Sequence, residues 1–392
     1  MSIDQRIVRD PEGGANQSGL RDQNARLVLS YLRRHGALSS AEIARRSGLS
    51  AQTISNILKA LDAADLIRKG KTVKGKVGKP STPIELNPTG VFSLGLNIGR
   101  RSAELALVDF LGNVIGTRST AYPYPEIDGI FTFVERSMTD LCASAPGSRE
   151  RLAGIGIARP SEIWNWLEIV NAPADAMQAW KDFDLTNEMA RAIGCEAVEQ
   201  NDATSACVAE HLLGRGAQFS DFAYLFIGAF LGGGLVLGDK VIWGRTGNTC
   251  AIGILPMPDG RENTTELLEM ASLHVLEAAL VRDGIEPLDL RDTPEDWSAY
   301  ARQLDVWIKD TGKALAHGAA SIASVVDVQA ILIDGAMPQE VRSRLTAETE
   351  AHFKKYKLGG IQRPLIAEAE VGRNARSIGA ALLPIHARFF LA

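Results

Sequence analysis

Ala25, Val28, Leu29 and Leu32 recur at the i, i+3, i+4, i+7 spacing of one helix face, and His35-Gly36-Ala37 supplies the turn that ends it. Ser39-Ser40-Ala41-Glu42 then reads as a Ser-x-x-Glu capping box, in which each side chain satisfies a backbone N–H at a helix start. A second, short helix is therefore predicted from about Ser40 to Arg46. Ser47-Gly48-Leu49 forms a tight turn because glycine tolerates positive φ, and Ser50 is the natural N-cap of a third helix. Two short helices joined by a glycine-containing turn make a helix-turn-helix. On the third helix Ile54, Ile57, Leu58 and Leu61 form an apolar face. Gln52, Ser55, Asn56 and Lys59 fall on the opposite face, with Thr53 added as a candidate contact; all can hydrogen-bond to base edges or phosphates.

After Leu66-Ile67 the chain reads RKGKTVKGKVGKPSTPIEL, a glycine-rich basic hairpin that fits the wing of a winged helix. Lys74, Lys76 and Lys79 are its candidate phosphate or minor-groove contacts. Asn87-Pro88-Thr89-Gly90 breaks the pattern and reads as a linker. The texture beyond it changes to short strands and glycine turns. Strands are predicted over Phe92 to Ile98, over Ala103 to Phe110 and from Val114-Ile115 onward. The scheme returns with strands over Phe222 to Ile227, Leu235 to Leu237 and Val241 to Trp243, with Gly228 to Gly234 as a glycine-rich turn. Each set precedes a long α/β stretch. Two similar halves imply a duplicated α/β fold with a cleft between its lobes.

Charge sharpens the division. Between Arg21 and Pro80 thirteen basic residues face four acidic ones, a surplus of nine; with the chain at −5 overall, the remainder carries −14. A basic module joined to an acidic one fits an anionic polymer as partner for the first, although charge alone fits a solvated basic surface equally. The 392 residues, 45% of them apolar, exclude disorder over the whole chain. No run of eighteen apolar residues and no signal-peptide pattern appears, so a cytoplasmic protein is expected, without membrane contact. Cys142, Cys195, Cys207 and Cys250 form no paired spacing and read as buried free thiols.

The stretches GKVGKPSTPIELNP, GLNIGRRSAELALVDFLGNVI, GIGIARP, EQNDATSACVAEHLLGRG, FLGGGLVLGDKVIWGRTG and GRNARSIGAALLP together resemble the ROK family of repressors, open reading frames and kinases, over about residues 20 to 392. The resemblance implies a winged helix-turn-helix followed by a duplicated, actin-like, two-lobed domain of the sugar kinase and RNase H type. The implied layout is a disordered tail over 1–18, a winged helix over 19–86, a first lobe over 91–200 completed by a C-terminal helix over 374–392, and a second lobe over 201–373.

In ROK sugar kinases a Glu-Asn-Asp motif holds the hexose, with its Asp as general base. Gln200, Asn201 and Asp202 stand there, so Asn201 and Asp202 are the implied ligand residues; the same Asn-Asp also caps the helix starting near Ala203. The family's phosphate turn, Asp-x-Gly-Gly-Thr, is matched by Asn97-Ile98-Gly99-Arg100-Arg101, which lacks the carboxylate that would serve Mg²⁺. In the second phosphate motif Gly232-Gly233-Gly234 remain, and Ala229-Phe230 replace Thr-Gly. The zinc-binding pattern falls on Ala251-Ile252-Gly253-Ile254 and PMPDGRENTTELLEM, which contain no Cys or His, so no metal and no cofactor are expected. Glu266 aligns with a sugar-contacting Glu once a gap is allowed, or is a solvated helix residue. Trp164, Trp166 and Trp180 stack on a sugar ring or belong to the core.

The resulting expectation is a repressor of carbohydrate-utilisation genes that is not an enzyme. It binds an operator as a homodimer or dimer of dimers and senses a sugar or sugar-derived effector. Two alternatives stay open: an ATP-dependent sugar kinase that also binds DNA, and a regulator whose pocket is vestigial.

Overall fold

The computed structural model describes residues 17–70, 82–166, 172–258, 264–286 and 296–391. They divide into two compact units, one holding the chain up to Ile157, Glu162–Glu199 and Ala380 onward, the other Ala158–Ser161 and Gln200–Gly379.

The first unit opens with helices α1 (Gln17–His35), α2 (Ser40–Ser47) and α3 (Ala51–Ala63). Helix α1 starts inside the stretch expected to be a tail; the rest of that stretch, residues 1–16, lies outside the described residues. The local signals act as read. Ser39 and Glu42 complete a reciprocal capping box, Gly48 ends α2 at φ 70°, and Ser50 Oγ accepts from Thr53 N at the start of α3. Val28, Leu29 and Leu32 of α1, Ile43 of α2, and Ile54, Leu58 and Leu61 of α3 are buried together. Each contributes about 1.5–3 kcal/mol by leaving water. Strand β1 (Ile67–Lys69) pairs antiparallel with β2 (Ile84–Leu86), and Leu38 bridges Ile84, which makes the base of the wing. Lys74, Lys76 and Lys79 lie outside the described residues.

The segment read as a linker is a braced junction. Pro88–Gly90 forms a 3-10 turn, and Asn87 Nδ2 donates to Asp65 O at 2.9 Å and Asp65 Oδ1 at 3.0 Å. Arg151 Nη1 joins Asp65 Oδ2 at 2.6 Å and Thr89 O at 2.8 Å. A Cβ on Gly90 would stand 2.3 Å from Asp65 O, so only glycine fits this approach. Asn and Pro act here through a cap and a fixed φ, not through flexibility.

The rest of this unit is built on strands β3 (Phe92–Ile98), β4 (Ser102–Asp109), β5 (Val114–Ala121), β6 (Leu152–Ala158) and β7 (Ala197–Gln200), in the order β5-β4-β3-β6-β7. Helices α4 (Ile127–Ala143), α5 (Ala174–Asp182) and α6 (Leu185–Ile193) supply Ile130, Val134, Met177, Leu185 and Met189 to its core. Trp180 is buried there and donates to Pro125 O, so the core reading holds for it; Trp164 packs against the same core.

The second unit repeats the plan. Helix α7 (Asp202–Leu213) precedes strands β8 (Phe222–Ile227), β9 (Leu231–Leu237) and β10 (Lys240–Val241). Strands β11 (Pro256–Pro258) and β12 (Thr264–Glu266) form a separate ribbon. Helices α8 (Leu273–Arg282), α9 (Ala301–Val325) and α10 (Gln339–Phe353), with strands β13 (Ala330–Gly335) and β14 (Leu365–Glu368), complete a sheet of order β10-β9-β8-β13-β14. That order matches the first sheet strand for strand. Helix α11 (Ala375–Phe389) closes the chain, with Ala375 to Gly379 assigned to the second unit and Ala380 onward to the first. It is shorter than the 374–392 expected and contributes to both units.

Two expectations are corrected in β9 and β10. Gly232, Gly233 and Gly234 lie inside β9, not in a turn, because α7 and the 250s segment pack directly on the strand. A Cβ at Gly232 would meet Ala203 Cβ at 2.5 Å, one at Gly234 Cys207 Cβ at 2.4 Å, and one at Gly233 Cys250 O at 2.5 Å. The third strand of this half ends at Val241, so Trp243 is outside it.

Candidate DNA-binding and ligand-binding sites

On α3 the side chains of Gln52, Ser55, Asn56 and Lys59 are exposed, while Ile54 and Leu58 are buried and Ile57 half-buried. Gln52 Nε2 donates to Asn56 Oδ1 at 3.1 Å, so the two amides are held side by side, one turn apart. Thr53 is half-buried, and its hydroxyl meets Ser50 Oγ at 2.9 Å, which ties it to the helix cap. Arg34 of α1 and Arg45 and Arg46 of α2 are exposed as well. Burial and the nearby Arg46 and Arg34 cations hold the His35 imidazole below its ordinary value, so at neutral pH the arginines, not His35, supply the charge.

In the second unit the Gln200–Asp202 corner joins β7 to α7. Gln200 O accepts from Arg159 N at 3.0 Å, and its Oε1 accepts from Asn201 N at 2.7 Å. Asn201 Oδ1 accepts from Ala203 N at 3.0 Å and Thr204 N at 3.1 Å, so it caps α7. Asp202 Oδ1 accepts from Ala203 N at 2.9 Å, and its Oδ2 faces Arg376 Nη1 of α11 at 3.4 Å. Asn201 and Asp202 are thus brought together. Glu266 is exposed at the end of β12, opposite Pro256, and shares no hydrogen bond with either of them among the described residues. Arg376 escaped the sequence reading: 174 residues separate it from Asp202, and its only local signal is a charge among the small and apolar residues of ARSIGAALL.

The turns aligned with phosphate motifs are engaged by the protein itself. Gly99 N donates to Ser102 O at 2.9 Å, and Tyr122 Oη bonds both Gly99 O and Ser102 O at 2.8 Å. Asn97 is buried, and its Oδ1 has no hydrogen-bond partner among the described residues. At the second turn Gly228 O and Ala229 O accept from Leu273 N and His274 N at the start of α8. At the place of the zinc pattern Ile252–Ile254 is a 3-10 turn, Ile254 is exposed, and Met257 is buried. Ala251, Ile254 and Met257 offer no zinc ligand, and no cluster of His, Cys, Asp or Glu that could hold a metal ion is present among the described residues. All four cysteines are free, but Cys207 alone of the four is fully buried and Cys142, Cys195 and Cys250 are half-buried; burial pushes the Cys250 thiol up to about 11.

The sequence profile of the ROK family matches residues 93–387. The chain belongs to the ROK family. A MarR family profile matches residues 18–76, the winged-helix part. The chain is 20% identical over 375 residues to the xylose repressor of Bacillus subtilis, covering 93% of this chain and 95% of that protein. It is 24% identical over 324 residues to a glucokinase of Streptomyces coelicolor, covering 74% of this chain and 96% of that enzyme. A crystal structure of a ROK family transcriptional regulator, a homologue of the Escherichia coli MLC protein, superposes with a TM-score of 0.70 at 22% identity, over 94% of this chain and 97% of that one. This ROK chain therefore combines a winged helix-turn-helix with the actin-like fold that the family's kinases also use.

Proposed function

We propose that this ROK protein is a DNA-binding transcriptional repressor of carbohydrate-utilisation genes, whose C-terminal domain senses a sugar or sugar-derived effector and dimerises. One observation carries the reading: a capped helix-turn-helix with an exposed Gln52-Ser55-Asn56-Lys59 face stands in one chain with a kinase-type domain. The likeness to the B. subtilis xylose repressor along nearly its whole length supports it. A dimer would place two α3 helices in successive major grooves, so a near-palindromic operator is expected, and the protein works where the chromosome is, in the cytoplasm. Asn201 and Asp202 are the proposed ligand contacts, Asn201 through its amide nitrogen because its oxygen caps α7. Glu266 is retained as a peripheral candidate. Among the described residues no helix is long and apolar enough to cross a membrane.

The test selects a duplex from a random library on the wild-type protein and titrates variants against it. Gln52→Ala and Asn56→Ala are each expected to weaken the selected duplex by about 1–3 kcal/mol while sparing scrambled DNA. Lys76→Ala with Lys79→Ala is expected to weaken both and to lower the salt slope. Unchanged affinity throughout would sink the assignment.

The family includes kinases, so catalysis is tested directly. With ATP, Mg²⁺ and a hexose panel we expect no phosphoryl transfer, since the Gly99–Ser102 turn is closed on itself and Arg100 stands beside it. Turnover abolished by Asp202→Asn would overturn this part.

A further inference from the structure

The Arg376 guanidinium is poorly satisfied for a charge in so enclosed a place. Its Nη1 stands 3.4 Å from Asp202 Oδ2, longer than the roughly 2.7–2.9 Å of a good charge-assisted hydrogen bond. Its Nε is closed off without a hydrogen-bond partner among the described residues, and its carbon lies 4.9 Å over the Phe226 ring. Among the described residues Asp202 is the one carboxylate bonded to it, and that carboxylate already serves Ala203 N. Both side chains keep 18% of their surface exposed, so solvent reaches the pair.

This pair limits what Asp202 can bind, given the ligand reading of that residue. A neutral sugar that donated its hydroxyls to Asp202 Oδ2 would compete with Arg376 Nη1 for that oxygen and offer the guanidinium no anion in return. A sugar carrying its own negative group avoids this. Its hydroxyls replace the guanidinium at Asp202, and its anion takes the guanidinium fork, whose planar donors match carboxylate and phosphate alike. We infer that the effector is a sugar bearing an anionic group, a carboxylate or a phosphate, and that Arg376 receives that group while Asp202 holds hydroxyls.

Isothermal titration of the full chain at fixed ionic strength tests this with D-glucose, D-gluconate, D-glucuronate, glucose 6-phosphate, D-xylose and D-xylonate. Inorganic phosphate and sulfate serve as anion controls. At least one acidic sugar is expected to bind about tenfold or more tighter than its neutral parent, and the carboxylate and phosphate arms identify which anion is recognised. Arg376→Gln is expected to abolish the preference, Arg376→Lys to keep part of it, and Asp202→Asn to weaken acidic and neutral sugars together. Equal or tighter binding of the neutral parent, a preference that survives Arg376→Gln in a protein with native melting, the same affinity for inorganic anions, or no binding by any member would each overturn the inference. Selection of a specific duplex proceeds without any sugar, so a regulator that binds DNA but prefers neutral sugars refutes this inference alone.

Discussion

Replacing Arg342 by alanine is expected to lower the stability of the second unit by about 3–5 kcal/mol, the range seen when one member of a buried ion pair is removed. Asp334 is fully buried at the end of β13 and accepts from Tyr224 Oη at 2.8 Å, Arg342 Nη1 at 2.9 Å and Gly372 N at 3.1 Å. Arg342 is its cationic partner, and its Nε also reaches Glu368 Oε1 at 2.8 Å. Alanine would leave the buried Asp334 carboxylate with three neutral donors, Tyr224 Oη, Gly372 N and Gly335 N, and no cation. Urea unfolding followed by the fluorescence of buried Trp297 and Trp307 checks the loss. Combining Arg342→Met with Asp334→Leu should recover part of it, since the uncompensated charge goes but Tyr224, Gly335 and Gly372 lose their acceptor. A single variant within about 1 kcal/mol of wild type would show that the pair contributes no more than a surface one.

The network bears on function through the segment it anchors. Glu210 of α7 accepts from Glu370 N at 3.1 Å and Val371 N at 3.1 Å, and Asp334 takes Gly372 N, so the backbone just before α11 is fixed on two sides. Burial raises the Glu210 carboxyl above its ordinary value, and the backbone N–H groups oppose the shift. Arg376 begins its approach to Asp202 from this fixed segment. Gly379 then lets α11 lie on α7, since a Cβ there would stand 1.7 Å from Ser205 O.

What was legible follows the range of the interactions. Ser39, Glu42, Gly48 and Ser50 act within four residues of themselves, so the helix-turn-helix could be read from spacing. The duplicated sheets were readable because Phe92–Ile98 alternates Phe92, Leu94, Leu96 and Ile98 with small or polar residues, and Phe222–Ile227 is an unbroken apolar run, both of strand length. Gly232–Gly234 misled because glycine marks both a turn and a strand that another backbone approaches closely, and only the packing of α7 decides between them. Asn87–Gly90 misled for a similar reason: its composition is that of a loop, while its partners, Asp65 and Arg151, are set by tertiary structure. Asp334 carried a partial signal, an acid in the otherwise apolar strand AILIDG, but Tyr224 lies 110 positions away. Asp202–Arg376 had none beyond the unusual arginine.

Phe390→Ala is expected to cost about 3–5 kcal/mol and to free the winged helix from the body of its unit. The Phe390 ring is 2% exposed, lies 5.5 Å from Phe110, and shares one core with Val28, Leu29 and Leu32 of α1. Its loss leaves more than a cavity. The Arg33 guanidinium sits 4.8 Å over the ring, its Nη atoms have no hydrogen-bond partner among the described residues, and burial pushes it down to about 10. The ring face is therefore its principal electrostatic partner, and alanine would strand it. The backbone contacts here, Arg26 Nε to Phe390 O at 2.9 Å and Leu391 N to Ser30 Oγ at 3.0 Å, survive the substitution but cannot replace the ring. The expected readouts are weaker binding to the selected duplex and faster proteolysis around residues 87–91, with Phe390→Leu intermediate because it refills volume without the π face. If Phe390→Ala bound and resisted cleavage as wild type does, the Asn87–Gly90 junction, Arg151 and the surviving Arg26 and Leu391 contacts would hold the winged helix without the ring.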